Sequence, residues 1–198
     1  MIIGKTIALI DAGTGINFET VNQNLSKFNM KPNDIELLIN THCHYDHIGG
    51  DTDFIRSADC KVAIHELEAN ILRKGDSVVT CADMFGEKLE PISVARELRE
   101  GDKIELGELT LKVLHTPGHT AGSICLYEPQ QRLMFSGDTI FSDGVGRTDL
   151  PTGDVTALRN SIEGLLKLDV QNIYPGHGPH VEKNAHACIL NASRFTYL

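Results

Sequence analysis

Six consecutive positions, His42 to His47, hold three imidazoles and one carboxylate, within the run Thr41-His42-Cys43-His44-Tyr45-Asp46-His47-Ile48-Gly49-Gly50. His nitrogens and Asp oxygens are common ligands of borderline divalent metals, so this density points to metal chemistry. The spacing excludes the helical zinc-protease pattern, in which two His four apart flank a Glu. Three other short segments offer donors of the same kind. They are His119 after Thr116-Pro117-Gly118, Asp138 after Ser136-Gly137, and His177 after Pro175-Gly176. Gly stands directly before each of these donors, where it allows close backbone approach to a bound group. The seven donors His42, His44, Asp46, His47, His119, Asp138 and His177 exceed the needs of one four-coordinate ion and suit two. A shared carboxylate and a bridging hydroxide would hold such ions roughly 3.5–4 Å apart.

The other residues that could join this chemistry have plainer readings. His65 opens a helical segment and is expected to cap it or pack. His115 is expected to pack or hydrogen-bond, and His186 to lie on the surface. His180 is close enough in sequence to His177 to reach its pocket. Asp11 ends the first strand and reads equally as a turn aspartate or as a residue that orients a ligand imidazole. Cys43 lies between two donors, but in extended chain its side chain points away from theirs.

These donors need rigid elements to hold them. Thr6 to Ile10 reads as an apolar strand, and Ile35 to Asn40 as the strand feeding His42. Between them Val21, Leu25 and Phe28 recur at helical spacing over Glu19 to Met30, with Pro32 beyond. Lys61 to Ile64 reads as a strand and Glu66 to Lys74 as a helix, while Gly75 to Pro91 is irregular and expected to be a mobile flap. Strands are then expected over Lys103 to Leu106, Leu109 to His115, Ile124 to Tyr127 and Arg132 to Phe135. Asp154 is a helix cap for a segment reaching about Leu168. A last strand at Asn172 to Tyr174 precedes a last helix at Val181 to Ala192. Four strand ends that terminate in His or Asp imply one sheet edge where ligands converge. Strands and helices mix without strict alternation, which fits an α+β arrangement of two mixed sheets packed together with helices outside.

The 198 residues suit one domain. The formal net charge of −9 disfavours a nucleic-acid partner, because phosphate backbones reward clustered Lys and Arg. Five Cys without a Cys-x-x-Cys pair read as reduced thiols, and no segment is long and apolar enough to cross a bilayer. With no signal-peptide layout at Met1-Ile2-Ile3-Gly4, a cytoplasmic location is expected.

The set His42-x-His44-x-Asp46-His47, His119, Asp138 and His177 resembles the metallo-β-lactamase-fold hydrolases. The likeness runs in order from Ile10-Asp11-Ala12-Gly13 to Pro175-Gly176-His177-Gly178. It implies a four-layer αβ/βα sandwich of two mixed sheets. It also implies one metal on His42, His44 and His119, a second on Asp46, His47 and His177, and Asp138 bridging both. Asp46 and Asp138 would then act catalytically through the bridging hydroxide. Thr116-Pro117-Gly118-His119-Thr120-Ala121-Gly122-Ser123 and Phe135-Ser136-Gly137-Asp138-Thr139-Ile140-Phe141 are most similar to the glyoxalase II group. Gly146-Arg147-Thr148-Asp149 resembles its short single-domain relatives, which makes Arg147 a substrate or supporting candidate beside Asp11 and His180. By this resemblance the chain is expected to be a single domain without the C-terminal helical domain that serves glutathione in longer members, and its start looks clipped by a strand or two.

The implied activity is hydrolysis of a small-molecule thioester, with zinc as the expected metal and iron or manganese as alternatives. Persulfide dioxygenases are similar too, with a single iron on the equivalents of His42, His119 and Asp138. Ribonuclease Z-type phosphodiesterases share the motif, but the acidic balance argues against them. A non-catalytic binding module would be expected to have lost ligands. The best-known β-lactamase subclass carries Cys at the position of Asp138, which argues against antibiotic hydrolysis.

Overall fold

A computed structural model describes residues 1–195, with side chains through Arg194. The chain divides into two compact units, Met1–Leu98 with Leu106–Leu109, and Arg99–Glu105 with Thr110 onward.

The first unit is built on β1 (Ala8–Ile10), β2 (Leu37–Ile39), β3 (Lys61–His65) and β4 (Arg96–Leu98), in that spatial order. Neighbouring strands all run parallel, where a mixed sheet was expected. Parallel neighbours need a crossover, and helices supply each one. These are α1 (Phe18–Ser26), then α2 (Tyr45–Ile48) and α3 (Asp51–Ala58), then α4 (Glu66–Lys74). Leu38, Ile39, Val62, Ala63 and Ile64 are fully buried. This explains why these strands read as unbroken apolar runs, since a parallel sheet is covered on both faces. Apart from the smaller Ala63, each such side chain contributes roughly 1.5–3 kcal/mol by leaving water.

Helix α4 begins and ends where the sequence placed it. The His65 ring accepts from the Leu67 amide at 3.4 Å, and Gly75 closes the helix in the left-handed region at φ +63°. Helix α3 fills the interval between Gly50 and the strand at Lys61. The segment from Gly75 to Pro91 is no free flap. The Tyr45 amide donates to the Thr80 carbonyl at 2.8 Å, the Leu89 amide donates to Ser77 Oγ at 3.0 Å, and Ala82 and Leu89 join the core. Its few apolar residues, spaced irregularly, anchor it without setting a period.

Asp51, the first residue of α3, is wholly buried, and Asn40 Nδ2 donates to its Oδ2 at 2.6 Å. Burial pushes the Asp51 carboxyl well above its ordinary 3.8. The folded chain therefore holds this proton more tightly than the unfolded chain does. The stability linked to it is full below about pH 3.8 and is lost as pH rises through the raised value. Asp51→Asn is neutral at every pH and escapes this loss. The difference in urea midpoint between variant and parent should move in favour of the variant between pH 4 and pH 7.

The second unit holds β5 (Lys103–Glu105), β6 (Thr110–His115), β7 (Ile124–Glu128), β8 (Leu133–Gly137) and β9 (Asn172–Pro175) in spatial order. Pairing is antiparallel except between β8 and β9, so β6, β8 and β9 all point the same way. Leu111 and Val113 face inward while Lys112 is exposed, as the alternation requires. Helix α5 (Val155–Leu165) is capped by Asp154, whose Oδ1 accepts from the Ala157 amide at 2.9 Å. It stops at Leu165, short of Leu168. Helix α6 (Ala185–Phe195) starts four residues later than its apolar spacing suggested, because Val181 pairs as a bridge with Ile173. Leu158, Ile162 and Ile189 from the helices share a core with Cys125, Met134 and Ile173 from the sheet.

Candidate metal centre

In the first unit, β1 and β2 run side by side, so Asp11 and Thr41 leave the sheet as neighbours. Asp11 adopts φ +55°, a costly conformation for a non-glycine that surrounding contacts must enforce. Its carboxylate accepts from the Thr41 amide at 2.7 Å, from Thr41 Oγ1 at 2.8 Å and from His47 Nδ1 at 2.8 Å. Helix α2 carries Asp46 and His47, and the amides of Ala12 and Gly13 clamp its end through the His47 carbonyl. Gly50 fits because a Cβ there would stand 2.5 Å from the Ala12 carbonyl oxygen. The result gathers four donors. The His42 ring centroid lies 4.9 Å from that of His44 and 4.1 Å from that of His47. His47 Nε2 is 3.8 Å from Asp46 Oδ2. Cys43 is buried in the apolar core instead, where desolvation pushes its thiol well up.

In the second unit, the exits of β6, β8 and β9 bring three donors together. His119 Nε2 is 3.6 Å from Asp138 Oδ2, and His177 Nε2 is 3.5 Å from the same oxygen. His119 and Asp138 are buried, whereas the His177 side chain is 51% exposed. His119 Nδ1 lies 2.7 Å from the Arg147 carbonyl oxygen, so this nitrogen carries the proton and Nε2 keeps a lone pair. Gly146 makes that approach possible. A Cβ there would fall 1.9 Å from the Asp138 carbonyl oxygen and 3.0 Å from His119 Nδ1.

The four strand ends do not share one sheet edge as expected. The exits at His119, Asp138 and His177 belong to the second sheet, and the exit at His42 to the first, because β2 has both edges taken by parallel neighbours. Among the remaining candidates, the Arg147 side chain grips Asp149 with two bonds of 2.7 and 2.6 Å and holds that carboxyl down to about 2. It is the Arg147 carbonyl that meets a donor. His180 stacks on Tyr174 at 5.8 Å and lies 3.3 Å from Glu182. The His115 ring meets the Ala121 carbonyl at 2.9 Å, and His186 is exposed. Thr41, which lies 3.1 Å from His42 Nδ1, was missed; its place beside His42 was the available signal. No side-chain signal could have found a backbone carbonyl.

A divalent ion fits these donors. Imidazole lone pairs and a carboxylate oxygen face one another at 3.5–3.8 Å, longer than a hydrogen bond and suited to a cation held between them. Asp11→Ala should leave His47 Nδ1 without its acceptor. It should weaken metal affinity by about 10- to 100-fold, read by competition with a chromogenic chelator.

Two sheets with helices, and His and Asp donors at the strand exits, define an α+β protein that carries the donors of a metal site. The chain belongs to the metallo-beta-lactamase superfamily, whose pattern matches residues 1–177, and it has that fold. It is 42% identical over 182 residues to a probable metallo-hydrolase of Methanocaldococcus jannaschii, covering 90% of this chain and 85% of that protein. It is 33% identical over 160 residues to an acyl-coenzyme A thioesterase of Gallus gallus, covering 71% of this chain and 56% of that protein. The chain thus spans little more than half of that relative. Among solved structures, the BLEG-1 B3 metallo-β-lactamase superposes with a TM-score of 0.78 at 28% identity, covering 97% of this chain and 89% of that one. A protein crystallised in a di-iron-bound form superposes at 0.75 with 31% identity, covering 91% and 86%. Divalent metal ions are thus implied by the fold. No helix among the described residues is long and apolar enough to cross a membrane.

Proposed function

We propose that the chain is a dinuclear metal-dependent thioester hydrolase of the glyoxalase II type, acting on a small molecule as a single domain in the cytoplasm. His42, His44 and His119 would hold one ion, Asp46, His47 and His177 a second, and Asp138 would serve both. The observation that carries this reading is the full donor set, with the rings of His47 and His119 each oriented through Nδ1 by an oxygen of the same unit. The thioesterase relative supports the substrate class, and five free cysteines suit a reducing compartment.

Two ions held by these residues would supply an activated water for attack on the acyl carbon and polarisation of its carbonyl oxygen. Asp11 holds the proton of His47 on Nδ1, and the Arg147 carbonyl does the same for His119, so both rings present Nε2. The chain offers no rival nucleophile among its thiols. All five are buried, with Cys60 pushed up to about 12 and Cys125 to about 11 by desolvation.

The test is a panel of thioesters assayed with the protein as purified, after chelation, and after return of zinc, iron or manganese. Hydrolysis that is lost on chelation and restored by metal is expected. A chromogenic cephalosporin belongs in the panel, given the B3 β-lactamase similarity. Cephalosporin cleavage without thioester cleavage would overturn the substrate class.

A further inference from the structure

Two buried threonines tie the His119 loop to the Asp138 loop within the second unit. Thr116 follows the last residue of β6, three positions before His119, and Thr139 follows Asp138 directly. Both are buried, and their hydroxyl oxygens lie 2.9 Å apart. This contact is unusual because β6 and β8 are not neighbours; β7 runs between them and pairs with both. Strands two places apart in a sheet stand about 9.5 Å from each other. The two side chains meet across that gap because β7 places a small residue, Cys125, between them. Its Sγ lies 3.5 Å from Thr116 Oγ1 and 3.6 Å from the Ser136 carbonyl oxygen.

Each loop is also closed by bonds of its own. The Thr116 amide donates to the Ser123 carbonyl at 2.9 Å, and the Gly118 amide to the Thr120 carbonyl at 3.0 Å. The Thr139 amide donates to the Ser136 carbonyl at 3.0 Å. These bonds shape each loop, whereas the hydroxyl contact bears on the gap between them. Hydrogen-bonded oxygens approach this closely, but two apolar carbons in their places would stand about 3.5–4.0 Å apart. Burying hydroxyls among apolar neighbours such as Leu114, Met134 and Ile140 costs desolvation that the bond only offsets. The pair therefore defines geometry more than it adds stability.

We propose that Thr116 and Thr139 are positioning residues, whose hydroxyl contact over Cys125 sets the 3.6 Å separation of His119 Nε2 from Asp138 Oδ2. This inference rests on the reading of those two side chains as donors to a shared ion. Valine has the shape of threonine but no hydroxyl, so a valine pair would push the loops apart by about 0.5–1 Å. A shift of that size in a preorganised site costs on the order of ten- to a hundredfold.

The test compares Thr116→Val/Thr139→Val with Thr116→Ser/Thr139→Ser, which keeps both hydroxyls and removes two methyl groups. Zinc affinity is read by competition with a chromogenic chelator, stability by the urea midpoint of metal-free protein, and the donor separation by crystal structures of metal-free parent and variants. The valine variant should bind zinc about 10- to 100-fold more weakly, with the separation widened by about 0.5 Å or more. Its urea midpoint should stay near that of the parent, because both partners of the bond are replaced together. The serine variant should show the reverse, a lower midpoint from the lost methyl groups with parental affinity and separation. That opposite ordering is one a purely structural role does not produce. Parental zinc affinity in the valine variant, or an unchanged separation, would overturn the proposal. So would affinities that simply follow the urea midpoints. Should the double valine variant fail to fold, Thr139→Val alone carries the same comparison. If the parent itself binds no zinc, the metal-centre reading fails by itself. The donor separation then decides the positioning role, supporting it if widened by valine and overturning it if unchanged.

Discussion

Asp138→Ala is expected to lower turnover on the order of a thousandfold and to leave the purified protein short of metal. The reason lies in one oxygen. Asp138 Oδ2 faces His119 Nε2 at 3.6 Å and His177 Nε2 at 3.5 Å, so removing it takes a negative charge from the middle of the second unit's donors. The metal-free variant should unfold at the same urea concentration as the metal-free parent, or a higher one, because a buried charge has been removed. That combination separates a chemical loss from a folding loss. Near-parental turnover with parental metal content would remove Asp138 from the proposed centre.

The largest effect on stability is expected from Gly118→Ala. The added Cβ would lie 2.2 Å from the Leu158 backbone nitrogen and 2.3 Å from its Cα, at a φ of +140°. The obstruction is backbone, which cannot swing aside. Two bonds also fix the loop to α5, Asp154 N–H to the Gly118 carbonyl and Ser161 Oγ to the Pro117 carbonyl, both at 2.8 Å. A cost of about 3 kcal/mol or more should follow, read as a lower urea midpoint. Because His119 is the next residue, metal affinity should fall as well. A midpoint within about 0.5 kcal/mol of the parent would mean that the loop and α5 part easily.

The candidate donors were legible because metal chemistry restricts residue type. His42, His44, Asp46 and His47 stand so close in sequence that no fold is needed to bring them together. His119, Asp138 and His177 were each marked by a preceding Gly and an apolar strand. Asp11 was legible as the last residue of a strand, and its bond to His47 followed from two parallel strands ending side by side. Helix α4 was legible because a capping His and a closing Gly bound it. Helix α3 was hidden because Asp51, Asp53 and Arg56 break its apolar face, and only Phe54 and Asp51 are buried. Strand β4, Arg96–Leu98, was hidden because two of its three side chains are exposed. The split of the strand exits between two sheets was hidden because single-strand patterns carry no record of their neighbours. The Arg147 carbonyl was hidden because every residue has one.

The central claim is a centre for two ions. Elemental analysis of protein purified without added metal or chelator tests it most directly. About two divalent ions per chain are expected, in whatever mixture of zinc, iron and manganese. A single iron per chain, with oxygen uptake on a persulfide, would contradict it and make the chain a dioxygenase.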